Sequence, residues 1–261
     1  MKNLIATISL CAFLIAPLAA VAAPPRTIPL TLYNEFTWNN TIPVVYIYFN
    51  DYYPSDRPLV YTYEQIETNI ARAKARETNH YGITDTYLYQ ALDKYASAIA
   101  GKNVAVMGSV VPWYESILLA YGAHPTTIEY NKIISLHPGL KAVTVAEFDA
   151  NPQLFDAVVS ISSYEHDGLG RYGDPINPNG DLIAMEKTKK MLKENGLLFL
   201  AVPVGKDRLV WNAHRIYGHL RLAALLQGWE IVGYFGFSPE DLEADQLWGS
   251  HQPTLVLRPK K

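Results

Sequence analysis

The run Ser162–Pro175 collects two acids and an imidazole in direct succession, Glu165, His166 and Asp167, followed by Gly168, Gly170, Arg171, Tyr172, Gly173 and Asp174. An imidazole titrates near neutrality and a flanking carboxylate can orient it, so the triplet holds the parts of general acid-base catalysis. In a competing reading, Glu165 and His166 brace the loop by hydrogen bonds to its backbone. Further along, Arg171, Arg215 and Arg221 carry the planar fork that pairs with anions. With neighbouring aromatic and imidazole groups they give a candidate substrate-binding set of Arg171, Tyr172, His214, Arg215 and Tyr217. His166, Asp167, Asp174 and His214 lack the tight spacing of a zinc signature, so no metal site is expected.

Such a site needs elements to hold it. The apolar run at 155–160 reads as a buried strand, which sets the loop just past a strand's C-terminal end, where open α/β sheets take their ligands. From Asn103 onward the pattern alternates: strands at 104–107, 127–130, 142–145, 155–160 and 197–202, helices at 113–121, 181–193 and 213–227, and strands near Ile231 and Thr254. This predicts an α/β fold with a doubly wound, mostly parallel sheet. In the helix at 213–227, Asn212 is a natural N-cap, His214 and Tyr217 share one face, and Arg215 or Arg221 can pair at the surface. Ahead of this unit, 63–77 and 84–100 read as helices, and 24–58 as an ordered aromatic-rich segment with a strand-like run at 44–49. The expected division is a leader at 1–23, an N-terminal extension at 24–101 and an α/β domain at 102–261.

The leader rests on Lys2, an apolar core from Leu4 to Leu18 and the small residues Ala20-Val21-Ala22, a signal-peptide pattern that predicts export to a periplasm, a secretory lumen or the medium. The same segment can instead remain as a signal anchor, the only membrane contact foreseen. The single cysteine, Cys11, lies inside it, so the exported part has neither disulfides nor a thiolate nucleophile. A hydrophobic content of 49% over the whole chain leaves that part ample core, and a net charge of −3 with interspersed signs gives no polybasic footprint, so nucleic acid is not expected as a partner.

Val104-Ala105-Val106-Met107-Gly108-Ser109, the acid Glu129 ending the next strand, and 155–160 followed by Glu165-His166 resemble the first, second and fourth strand ends of the class I S-adenosylmethionine-dependent methyltransferases. More specifically, Gly108-Ser109 with Pro112-Trp113-Tyr114-Glu115, Glu129-Tyr130-Asn131, Glu165-His166, the run 168–175, Gly180-Asp181-Leu182, 203–207 and 212–218 with Arg221-Leu222 resemble the family catalogued as domain of unknown function 268, from about Asn103 to Phe235. The resemblance implies a Rossmann-like methyltransferase fold with S-adenosylmethionine on Gly108, Ser109 and Glu129. It sets Glu165, His166 and Asp167 towards the acceptor, with His166 as base for a hydroxyl. The glycine turn carries one glycine, where these enzymes have two or three. Glu129 can bind ribose hydroxyls or cap nearby loops, and Glu147 or Phe148 can meet an adenine. The function expected is methyl transfer to a small-molecule or glycan acceptor in an exported compartment, the alternative a non-catalytic binding or scaffold protein on the same fold.

Overall fold

The computed structural model describes residues 23–52 and 57–260, so the leader read over 1–23 lies almost wholly outside the described residues. Among the described residues, no helix is long and apolar enough to cross a membrane.

The amino-terminal part contains a single-turn helix α1 (Tyr33–Phe36), strands β1 (Val44–Tyr46) and β2 (Leu59–Tyr61), and helices α2 (Tyr63–Lys74) and α3 (Ile83–Lys94). Then follow β3 (Asn103–Met107), α4 (Trp113–Ala120), β4 (His124–Glu129), β5 (Ile133–Ser135), β6 (Lys141–Thr144), α5 (Val145–Ala150), β7 (Phe155–Ile161), α6 (Gly180–Met191) and β8 (Leu192–Ala201). The chain ends in β9 (Arg208–Trp211), β10 (His214–Ile216), α7 (His219–Leu225), β11 (Trp229–Phe235) and β12 (Thr254–Pro259).

Seven strands form the main sheet in the order β11-β12-β8-β7-β3-β4-β6. The pairs from β8 to β6 are parallel, and β12 runs antiparallel to both neighbours. This is the doubly wound, mostly parallel sheet that the alternation predicts. Its apolar runs are continuous because alternate residues serve opposite faces. Val104, Val106, Ala157, Val159, Leu197 and Phe199 join α3 and α4 in one core, whereas Ala105, Val158, Leu198 and Leu200 join Phe148, Met185 and Leu222 in the other. From β3 the chain winds out through β4 and β6, then returns to build β7 and β8 on the other side. The winding reverses between β3 and β7, and the loops after these strands open a crevice there.

The helix expected at 213–227 is a correction. Residues 214–216 are strand β10, paired antiparallel to β9, which pairs in parallel with β1 of the amino-terminal part; only His219–Leu225 are helical. Tertiary packing overrides local pattern here: Val210, Ala213 and Ile216 bury against Ile47, Phe49 and Leu247, and Trp211 packs edge-on to Phe36. Asn212 is not an N-cap. Its Oδ1 accepts from Phe49 N at 2.8 Å and its Nδ2 donates to Phe49 O at 2.9 Å, replacing a strand pair with one side chain. The α7 terminus is capped instead by the Asp207 carboxylate, which accepts from the backbone N–H groups of Gly218, Leu220 and Arg221.

Candidate functional site

Two cavities flank the loop after β7. The first, of about 460 Å³, lies at the winding reversal between the turn after β3, Glu129 and Tyr130 after β4, and the face of α6 that carries Ile183, Ala184 and Lys187. The second, of about 390 Å³, lies between the β7 loop, Phe49 and the segment 248–252. Tyr81, Ser162, His166 and Tyr172 line both, so they form a shared wall.

Glu129 forms the floor of the first cavity. Its Oε1 accepts from the N–H groups of Tyr130 at 2.9 Å and Asn131 at 3.2 Å, and its Oε2 accepts from Ser109 N at 2.9 Å. The carboxylate therefore caps both loops, and Oε2 keeps a lone pair for a ligand donor. Gly108 is needed for a reason other than ligand access. At φ +68° it takes a conformation that favours glycine, and a Cβ there would lie 2.2 Å from Ser163 Oγ. Ser109 lines the cavity, but its N–H is committed to Glu129 and its Oγ donates to Val111 O.

Glu147 and Phe148 do not face this space. Glu147 completes a capping box with Thr144 at the start of α5 and pairs with Lys132; Phe148 is buried in the core beside Phe155. Val145 and Asp149 of α5 line the cavity instead. Its lining carries Glu129, Asp149, Asp167 and Asp174 against one lysine, Lys187, which pairs with Asp149 at 2.5 Å. Burial raises the carboxyls of Glu129, Asp167 and Asp174, and the neighbouring acids push Asp167 further up. Such a lining favours a cation or a hydroxyl-bearing ligand.

The shared wall is built on Glu165 and His166. Glu165 is fully buried; its Oε1 accepts from Ser162 Oγ at 2.6 Å, while Oε2 has no partner. Burial, only partly offset by the Ser162 bond, pushes this carboxyl up to about 7. His166 donates from Nδ1 to Ala213 O at 2.6 Å, so the neutral ring carries its lone pair on Nε2, 3.7 Å from Glu165 Oε1. A backbone carbonyl, not a carboxylate, thus orients the imidazole. Burial first, then the Arg171 charge, lowers His166 to about 3, so the free ring stays neutral through the physiological range instead of titrating near neutrality.

Of the candidate substrate-binding residues, Arg171, Tyr172 and His214 line the second cavity. Arg171 is braced by Asp51 at 2.7 Å and by the Phe49 and Tyr172 rings, and His214 donates from Nε2 to Leu247 O at 2.9 Å. Arg215 and Tyr217 line neither cavity, which corrects their assignment. Both are buried, as is Arg221, around Asp181: Arg221 pairs with it at 2.5 Å, Tyr217 donates to it at 3.0 Å, and Arg215 Nε lies at 3.8 Å. Arg215 also donates to the carbonyls of Glu165, Asp167, Asn177 and Pro178, and Arg221 to Pro178 O. These guanidiniums clamp the β7 loop from behind.

The family described as Caenorhabditis protein of unknown function, DUF268, matches residues 101–259, more than half of the chain. The chain belongs to this family. No curated protein matches it. Among solved structures, the DUF268 chain is similar to the 1,6-didemethyltoxoflavin-N1-methyltransferase of Burkholderia thailandensis with bound S-adenosylhomocysteine, at 15% identity over 75% of this chain and 80% of that one, with a TM-score of 0.46. It is also similar to the N-methyltransferase NodS of Bradyrhizobium japonicum in complex with S-adenosylhomocysteine, at 14% identity over 76% and 98% of the two chains and a TM-score of 0.46. The CcbJ methyltransferase of Streptomyces caelestis gives 14% identity, the same coverage and a TM-score of 0.44. The fold assignment rests on the sheet order itself.

Two groups at this DUF268 site escape local sequence reading. Tyr81 reaches the wall from the turn before α3, and Gln252 from the loop that precedes β12, where Nε2 donates to Ser162 Oγ at 3.1 Å and to Gly249 O at 3.1 Å. Neither belongs to a motif; only the strand order brings them in.

Proposed function

We propose that this DUF268 chain is a methyltransferase that binds S-adenosylmethionine in the first cavity and receives its acceptor in the second. The observation that carries the reading is the pair of cavities at the winding reversal, one acidic with Glu129 Oε2 still able to accept, joined through the wall of Tyr81, Ser162, His166 and Tyr172. The first is within the size range of small-molecule sites, about 300–1,000 Å³. Glu129 would hold the ribose hydroxyls and the acidic lining would favour the cationic end of the ligand. When bound, that ligand supplies an electrophilic methyl group on a sulfonium. The chain's own part is placement: the clamped loop fixes His166 with Nε2 available to take a proton from the acceptor, and the shared wall orients the acceptor for in-line attack. The leader supports action in an exported compartment. The open space beside Gly108 and Glu129 favours this reading over a scaffold whose side chains fill the crevice.

Calorimetric titration of the full chain with S-adenosylmethionine and S-adenosylhomocysteine tests it. Saturable binding that is lost in Glu129→Ala is the expected result. No heat at millimolar ligand would return the chain to the non-catalytic binding reading.

A further inference from the structure

The second cavity differs from the first in both charge and shape. Its mouth carries the ring of Trp248, 64% exposed, and its sides present Phe49, Tyr81 and Tyr172. Its wall holds acceptors without donors: Gln252 Oε1 is buried without a partner, and His166 Nε2 carries a lone pair beyond hydrogen-bond distance of Glu165. The Gln252 amide is oriented by its donation to Gly249 O, so its oxygen is the free end. Acceptors left unpaired call for a donor. An ammonium finds no free carboxylate here, because Asp51 is paired with Arg171 and burial pushes the Glu165 carboxyl up to about 7, leaving it only partly charged near neutrality. An anion is disfavoured as well, since the Arg171 guanidinium is already paired with Asp51. A neutral ligand rich in hydroxyl donors, with C–H faces that stack on aromatic rings, satisfies all of these conditions.

We propose that the second cavity is a carbohydrate subsite, and that a sugar hydroxyl docked there is the methyl acceptor, giving its proton to His166 Nε2. The acceptor role rests on the methyl-transfer reading; sugar binding stands without it. In the transfer, the sugar oxygen forms a bond to the methyl carbon as the carbon–sulfur bond of the sulfonium donor breaks. The electron pair stays on a neutral thioether, and the hydroxyl proton passes through Nε2 to solvent, because a ring held near 3 does not keep it, producing a methyl ether.

The test is calorimetric titration of the full chain with glucose, galactose, mannose and N-acetylglucosamine, with ethanolamine and acetate as counter-probes. At least one sugar binds, and Trp248→Ala weakens it about tenfold, the worth of one stacked ring, while S-adenosylhomocysteine binding is unchanged. Because Trp248 is mostly exposed, the variant keeps its fold. With the bound sugar as acceptor, His166→Ala loses methyl ether formation even when the sugar is raised to saturation, a loss of turnover beyond any loss of affinity. Ethanolamine or acetate binding in place of every sugar, or sugar affinity unmoved by Trp248→Ala, overturns the proposal. S-adenosylhomocysteine binding without sugar binding removes the subsite and leaves the methyl-transfer reading; sugar binding without S-adenosylhomocysteine removes the acceptor role.

Discussion

Replacing Glu165 with glutamine tests the electrostatics of the shared wall through a measurable pH dependence. The folded carboxyl sits near 7 because burial opposes its charge, against an ordinary value of 4.5. The folded state therefore holds a proton that the unfolded state releases, and stability contributed below 4.5 is lost as pH rises through 7. An increase from 4.5 to about 7 corresponds to about 3 kcal/mol. Glu165→Gln keeps the shape and the bond from Ser162 but cannot ionise, so the variant gains about 3 kcal/mol on the native chain between pH 5 and pH 9, or about 6–12 °C in Tm at this chain length. Glu115, also buried and near 7, titrates in both proteins and cancels. His166 has the opposite sign: held near 3 by burial, it removes stability as pH falls below its ordinary value, again in both. Urea unfolding of the two proteins at half-unit pH steps reads the difference. A constant offset across that range, with no growth in the variant's favour above pH 6, would refute a protonated wall carboxyl.

Asp181→Asn strands two buried guanidiniums, and urea unfolding should show a loss of about 3–5 kcal/mol; a change within surface range would mean that the clamp carries little. Asn212→Ala leaves the Phe49 N–H and C=O without partners, costing about 1–3 kcal/mol, and hydrogen exchange at the Phe49 amide should accelerate well beyond that of the main sheet. Gly108→Ala combines positive φ with a collision at Ser163, so it should lower Tm and weaken S-adenosylhomocysteine binding together, as seen in a thermal melt with and without ligand. Should Gly108→Ala leave both unchanged, the close approach of Ser163 does not shape the turn.

The main sheet was legible because strands buried on both faces leave unbroken apolar runs, as in 104–106 and 157–159, each ending in a polar turn. The strand β10 was not, because His214, Arg215 and Ile216 fit either a helical or an extended pattern, and the deciding contacts come from β1 and Phe49, far away in sequence. The site was legible to the same degree. Glu165, His166 and Asp167 signalled a loop at a strand end, and the loop lies there. What Arg215 and Tyr217 do was hidden, since Asp181 and the loop carbonyls that engage them belong to other elements. Burial also reverses a property that residue type alone assigns: an imidazole expected to titrate near neutrality is held far below it.

The central claim is that the acidic cavity at the winding reversal between β3 and β7 holds the methyl donor. A crystal structure of the full chain with S-adenosylhomocysteine tests it most directly. The account predicts ligand density between the Gly108 turn and α6, with a ribose hydroxyl donating to Glu129 Oε2 and the sulfur facing the His166 wall. Density elsewhere on the protein, or an unliganded cavity at saturating S-adenosylhomocysteine, would contradict it.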